Sequence, residues 1–192
     1  MNVIQLNRNT LEVVVKALRH GKIIVCPTDT VYGLVCDATK KEAVQRLFKI
    51  KGRPAGKPIP IFVKDINMAK RLAHINGRQE DFLRKHWPGR VTAVLKSRNK
   101  LPKILGAERS IGLRIPSYKF INDMLLEINY PLTGTSANIS GKPSCWDVND
   151  IVKQFKRGKF KPDLILDAGH LPKRKPSKVV DLTIYPPRVL RR

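Results

Sequence analysis

The sequence is short of acids, aromatic residues and cysteine, and it has no long apolar run. Fifteen Asp and Glu stand against 38 Lys and Arg in 192 residues, a formal net charge of +23. That balance points away from cationic ligands and toward polyanions such as RNA or a nucleotide, although a basic surface that only aids solubility would give the same number. Aromatic residues make up 6% of the chain, and no aromatic-rich RNA-recognition signature is present. Three cysteines, Cys26, Cys36 and Cys145, are odd in number and form no C-x-x-C pair. A disulfide framework and a structural zinc site are excluded on that count, and a reducing compartment fits. No segment approaches the ~20 apolar residues of a spanning helix. The start, "MNVIQLNRNT", lacks the apolar centre of a signal peptide. The expectation is a cytoplasmic protein.

The common chemical fingerprints are also missing. There is no G-x-x-x-x-G-K-[ST] loop, no G-x-G-x-x-G turn and no H-E-x-x-H helix. His20, His74, His86 and His170 show no ligand spacing, so no metal site is assigned to side chains. No nucleophile, base and orienting acid can be assembled into a triad.

What is present is an ordinary apolar fraction of 42%, enough for one substantial core. No repeat or linker divides the chain, so a single domain over 1–192 is expected. Asn9 with Glu12 and Thr39 with Glu42 read as capping boxes that open helices, and Asp65, Ser117 and Asp147 as further helix starts. "KIIVC", "VYGLVCD", "PIPIFV", "RVTAVL", "IGLRI", "PLTGT", "DLILDAG", "KVVDLT" and "RVLR" read as strands. Pro60 suggests an edge position or an irregular start for its strand. Helices and strands interleave without strict alternation. This predicts an α/β domain with a twisted, mixed β-sheet flanked by helices.

Several short stretches carry groups suited to ligands. "PTDTVYGL" offers the hydroxyls of Thr28, Thr30 and Tyr32 in a turn between two strands. Taken alone, an ordinary Thr turn is the preferred reading. "KIKGRPAGKP" places Lys49, Lys51, Arg53 and Lys57 on a backbone broken by Gly52, Pro54, Gly56 and Pro58. In an extended segment Lys51 and Arg53 would share one face, a fork and a point charge suited to a polyphosphate. A solvated basic loop is the competing reading. "TGTSANISG" supplies Ser136 and Asn138 between glycines that permit close backbone approach, and Ser-x-Asn also makes plain turns. Arg114 lies inside the apolar strand "IGLRI", where a cation must reach solvent or find an anion such as a carboxylate. Ser177 and Lys178 begin a strand behind Pro176, and Trp87 in "HWPG" reads as a packing anchor.

The order of "PTDTVYGLVCDA", "LFKIKGRP", "WPGRVTAVL", "IGLRIP", "PLTGTSANISGKP" and "SKVVDLT" resembles the successive signatures of the YrdC/Sua5 family, the L-threonylcarbamoyladenylate synthases. The resemblance runs from about Gly21 to Leu190. It implies a basic, concave nucleotide site and the joining of L-threonine, bicarbonate and ATP into threonylcarbamoyl-AMP and pyrophosphate. A partner transferase would then modify position 37 of tRNA. The family's K-x-R…S-x-N tetrad falls on Lys51, Arg53, Ser136 and Asn138. By resemblance Lys51 and Arg53 are catalytic and bind ATP together with Lys57, Ser136, Asn138 and Arg191. Thr28, Thr30, Tyr32, Arg114 and Ser177 would hold threonine. Mg²⁺ would enter mainly through the ATP phosphates, and direct tRNA contact is a possible addition.

The chain departs from the family pattern at Val35, at Lys119-Phe120, at Lys178, at Pro60 and at Phe62, and the resemblance is to the short, single-domain form. Two other readings compete. One is a non-catalytic module on the same fold that binds tRNA or double-stranded RNA. The other, ranked lowest, is the carbamoyl-transferring domain of hydrogenase-maturation enzymes, whose usual zinc-finger and acylphosphatase segments are absent here.

Overall fold

The computed structural model describes residues 1–54, 57–105 and 109–191. Two residues of the basic loop, 55 and 56, therefore lie outside the described part, Gly56 among them. The expected α/β fold with mixed β-structure and flanking helices is found, its strands divided between two sheets. A five-stranded sheet has the order β1(Asn2–Gln5), β10(Leu164–Asp167), β2(Ile24–Cys26), β3(Gly33–Val35), β9(Thr135–Ser136). A larger one runs β12(Arg188–Arg191), β11(Lys178–Asp181), β6(Val91–Ser97), β7(Ser110–Arg114), β4(Ile61–Phe62), β8(Leu132–Thr133), with β5(Ala73–His74) paired to β6. Both sheets mix parallel and antiparallel pairs: β10 is parallel to β1 and β2, while β3 is antiparallel to β2.

Burial on both faces explains why "KIIVC" is a continuous apolar run. Alternate residues of a strand point to opposite sides. Ile24 and Cys26 join a core with Val14, Val15 and Leu18 of α1(Thr10–Arg19) and Ile121, Met124 and Leu125 of α5(Lys119–Ile128). Ile23 and Val25 face a second core, shared with Val44 and Leu47 of α2(Lys41–Lys51) and with Ala93, Leu95 and Leu113 of the larger sheet. The expected helix starts hold in position better than in chemistry. Asp65 and Asp147 cap α3(Ile66–Leu72) and α6(Val148–Phe155) with their side chains. The capping box forms instead at Asn76 and Gln79, opening α4(Gly77–His86). The two expected boxes do not form: the Asn9 side chain caps nothing, and Thr39 Oγ1 donates to Asp37 at 2.6 Å. α5 begins at Lys119, two residues after Ser117. Trp87 is buried, its Nε1 donating to Val91 O at 2.7 Å, in keeping with a packing anchor.

Two corrections bear on the site. "PLTGT" is not one strand: Gly134 separates β8, in the larger sheet, from β9, in the smaller. The chain thus crosses between sheets at Gly134, whose N–H donates to Pro60 O at 2.7 Å. A Cβ there would lie 2.5 Å from Phe62 Cε1 and 2.7 Å from Cδ1. Nor is β4 an edge strand, since it is parallel to β7 on one side and antiparallel to β8 on the other. Proline is tolerated because the ladder begins only at Ile61, so no paired N–H is lost. Gly134→Ala must displace the buried Phe62 ring. We expect it to destabilise by about 1–3 kcal/mol, the usual range for overpacking, read as a lowered Tm; an unchanged Tm would mean that the ring has room to retreat.

Candidate functional site

Where the sheets meet, a partly enclosed cleft of about 200 Å³ opens. Its walls come from chain segments far apart in sequence: the β2–β3 turn, the starts of β3 and β4, the end of β7, the Gly134 crossing, the start of β11 and the end of β12. Of the eleven expected site residues, seven line it: Thr28, Thr30, Arg53, Arg114, Ser136, Ser177 and Arg191. Among the described residues no lining residue is acidic.

The three arginines are held differently. Arg53 Nη2 donates to Pro58 O at 2.7 Å and Nε to Lys57 O at 3.3 Å, so the loop curls back on its own guanidinium. Lys57 enters this arrangement through its carbonyl; its side chain is exposed and does not line the cleft. Arg191 donates to Ser177 O at 2.8 Å and to Ser177 Oγ at 3.2 Å. Ser177 Oγ in turn sits 2.9 Å from Thr92 Oγ1. Arg114 finds the carboxylate that an apolar strand demands: Nη2 meets both oxygens of Asp29 at 2.6 and 2.5 Å, and Nε donates to Gly89 O at 2.8 Å. Burial lowers the pKa of all three guanidinium groups, and for Arg114 the neighbouring charges of Arg90 and Arg191 add to that while Asp29 opposes it. An anion entering the cleft relieves this strain between cations.

Lys51 is not where an extended segment would put it. It is the last residue of α2, followed by Gly52 in the left-handed conformation (φ 57°), so Lys51 and Arg53 leave the backbone on different courses. Its side chain is 1% exposed. Nζ donates to Ser136 O at 2.6 Å, Asn138 O at 2.8 Å and Asn138 Oδ1 at 3.3 Å. Ser136 Oγ donates to the same Oδ1 at 2.5 Å, and Asn138 Nδ2 donates to Lys142 O at 2.6 Å. The four tetrad residues are therefore gathered: Lys51 and Asn138 are buried behind the cleft wall and bonded to Ser136, which lines the cleft with Arg53. Burial, and next the charge of Arg53, lower the Lys51 pKa to about 7.

Tyr32 and the two threonines divide. Tyr32 is fully buried, its hydroxyl donating to Gly169 O at 2.8 Å and accepting from Ala168 N at 3.0 Å, outside the cleft. Thr28 Oγ1 donates to Val31 O at 2.7 Å and accepts from Thr30 N at 3.1 Å, the turn that residue composition favoured. Of the departures from the family pattern, Pro60 and Phe62 reach the cleft, and Phe62 lies 5.9 Å from the Arg114 guanidinium. Val35, Lys119, Phe120 and Lys178 do not line it. Residue reasoning missed Asp29, although the need of Arg114 for an anion was the signal that could have found it.

Three guanidinium groups and several hydroxyls in one cleft of a two-sheet α/β domain make a site whose chemistry suits anionic groups. The family described as "Telomere recombination", which groups Sua5, YciO and YrdC proteins, matches residues 16–192, and the chain belongs to it. It is 36% identical over 175 residues to a "Putative threonylcarbamoyl-AMP synthase" of Methanocaldococcus jannaschii, covering 91% of this chain and 81% of that protein. It is 35% identical to the "Threonylcarbamoyl-AMP synthase" of Pyrococcus abyssi over 91% of this chain, and spans only about half (51%) of that protein. The structure of P. abyssi Sua5 complexed with L-threonine superposes with a TM-score of 0.88 at 31% identity, over 99% of this chain and 56% of that one.

Proposed function

We propose that this protein is a threonylcarbamoyl-AMP synthase, a nucleotidyltransferase of the cytoplasm that uses L-threonine, bicarbonate and ATP. The observation that carries the reading is the convergence of Arg53, Arg114 and Arg191 on one cleft with no acidic lining residue among the described residues. A triphosphate and an amino-acid carboxylate together supply the anions such a cleft requires.

In the reaction, the threonine amine bonds to the carbon of bicarbonate as a C–O bond breaks and water leaves, giving a carbamate. A carbamate oxygen then attacks the α-phosphorus of ATP, and the bond to the β-phosphate oxygen breaks to release pyrophosphate. Little acid–base chemistry is asked of the protein; in-line positioning and charge neutralisation do most of the work. Arg53 and Arg191 would hold the phosphates, Arg114 the threonine carboxylate, and Ser136 and Ser177 the intervening polar atoms. Lys51 would act from behind, fixing the Ser136–Asn138 turn and adding charge beneath the phosphates; a bound triphosphate raises its pKa back from about 7. Among the described residues no group of three or more His, Cys, Asp or Glu could hold a metal. Mg²⁺, bound through phosphate oxygens and water, would supply further neutralisation of the leaving group.

The test is pyrophosphate release from Mg-ATP and bicarbonate with and without L-threonine. Release that depends on threonine, and falls with serine or glycine, is expected. Release that ignores threonine and demands carbamoyl phosphate would overturn the reading in favour of the hydrogenase-maturation chemistry.

A tRNA substrate for the partner transferase gives the remaining charge a use. Exposed Phe160 has the ammonium groups of Lys49 and Lys159 at 5.4 and 6.0 Å from its ring centroid, with Lys156, Arg157 and Lys161 exposed beside it. An aromatic face among cations suits an RNA strand. Affinity for tRNA is expected to fall by roughly 10³-fold or more between 50 and 200 mM salt if six or more phosphates are contacted. A salt-independent affinity would remove this contact from the proposal.

A further inference from the structure

Resting on that reading, we infer that Asp29 sets the cleft's internal specificity: it cancels the charge of Arg114, reserving that guanidinium for an amino-acid carboxylate and leaving Arg53 and Arg191 as the uncompensated charges for phosphate. Asp29 sits between Thr28 and Thr30, which line the cleft, yet its own side chain is 4% exposed and is not part of the lining. Its carboxylate takes both oxygens to Arg114 Nη2, and Oδ2 also accepts from Ser117 N at 3.0 Å. With Nε on Gly89 O, the guanidinium is fixed from behind, and neither contact uses Nη1.

Among the described residues the other two arginines have no carboxylate partner. Arg53 and Arg191 donate to carbonyl and hydroxyl oxygens, which orient a guanidinium without neutralising it. The cleft lining therefore carries two uncompensated guanidinium groups and one compensated by a carboxylate. A polyphosphate, with several negative charges, follows uncompensated charge. A monocarboxylate loses much less by meeting a compensated guanidinium, because the remaining N–H groups still supply directed hydrogen bonds. Without Asp29, Arg114 would become a third full charge, drawn up beside Arg90 and Arg191, and phosphate would compete for it. Asp29 is thus a positioning residue for Arg114 and a specificity residue for the cleft.

The experiment is equilibrium binding of L-threonine by calorimetry, with and without inorganic pyrophosphate, on the wild-type chain, Asp29→Asn and Asp29→Glu. In the wild type, pyrophosphate is expected to leave threonine affinity within about twofold. In D29N it should weaken threonine binding by roughly tenfold or more, the least expected of one uncompensated unit charge in a half-buried site. D29E, which keeps the charge, should restore the wild-type pattern. A purely structural role would weaken threonine equally in both conditions, and that result would overturn the inference. So would pyrophosphate displacing threonine from the wild type, a result that stands whether or not D29N folds. A wild type that does not bind threonine at all would instead strike the synthase reading.

Discussion

Arg53→Ala will lower threonine-dependent pyrophosphate release by about 10²–10³-fold, the range for removing one preorganised donor to developing charge. Two losses combine. The guanidinium leaves the cleft surface, which it lines. The carbonyls of Lys57 and Pro58 also lose the donor that folds the loop back. Lys100 lies outside every matched motif and is exposed on another face. Lys100→Ala, which removes the same formal charge, should leave release unchanged. Assayed side by side, equal losses in both variants would mean that general charge, and not the placed fork, supports the reaction.

Lys51→Met should cost about 2–4 kcal/mol of stability, because Ser136 O, Asn138 O and Asn138 Oδ1 all lose their buried donor while the side-chain volume is nearly kept. For a domain of this size that is a Tm lower by roughly 5–15 °C. The cost should depend on pH. Lys51 has a folded pKa of about 7 against 10.5 in the unfolded chain. Between those values the folded state binds fewer protons than the unfolded one, so stability rises with pH through this group. The useful window is pH 7 to 9. Above it the buried thiols of Cys26 and Cys36, whose pKa burial pushes up from 9.0, act in the opposite sense. The gap between wild type and Lys51→Met should therefore be wider at pH 8.5 than at 6.5. A gap that is constant across that interval would show that Lys51 stays charged in the fold.

Much of this protein follows from its sequence because the relevant forces are local or compositional. Helix-start residues marked α1, α2 and α5 to within two residues, and short apolar stretches marked the strands β2, β6, β7 and β10, since burial selects the same residue types wherever a face is covered. The charge balance and the arginines set into loop and strand contexts pointed to an anion. Six ordered signatures placed the chain beside a family, and seven of eleven expected site residues do converge on one cleft. The unforeseen features depend on partners distant in sequence. β1 finds its place only by lying parallel to β10, and Gly134 is a crossing point only because two sheets meet there. Lys51 looked like part of an exposed clamp because it stands between Lys49 and Arg53 in a stretch broken by Gly and Pro; α2 continues to it and buries its ammonium against a turn 85 to 87 residues away. Arg114 demanded an anion by its setting, but which one was decided by a β2–β3 turn 85 residues earlier. Composition and period determine which groups must be buried or paired; chain topology alone decides what each of them meets, since hydrogen bonds and ion pairs act over a few ångströms and carry no trace in sequence separation.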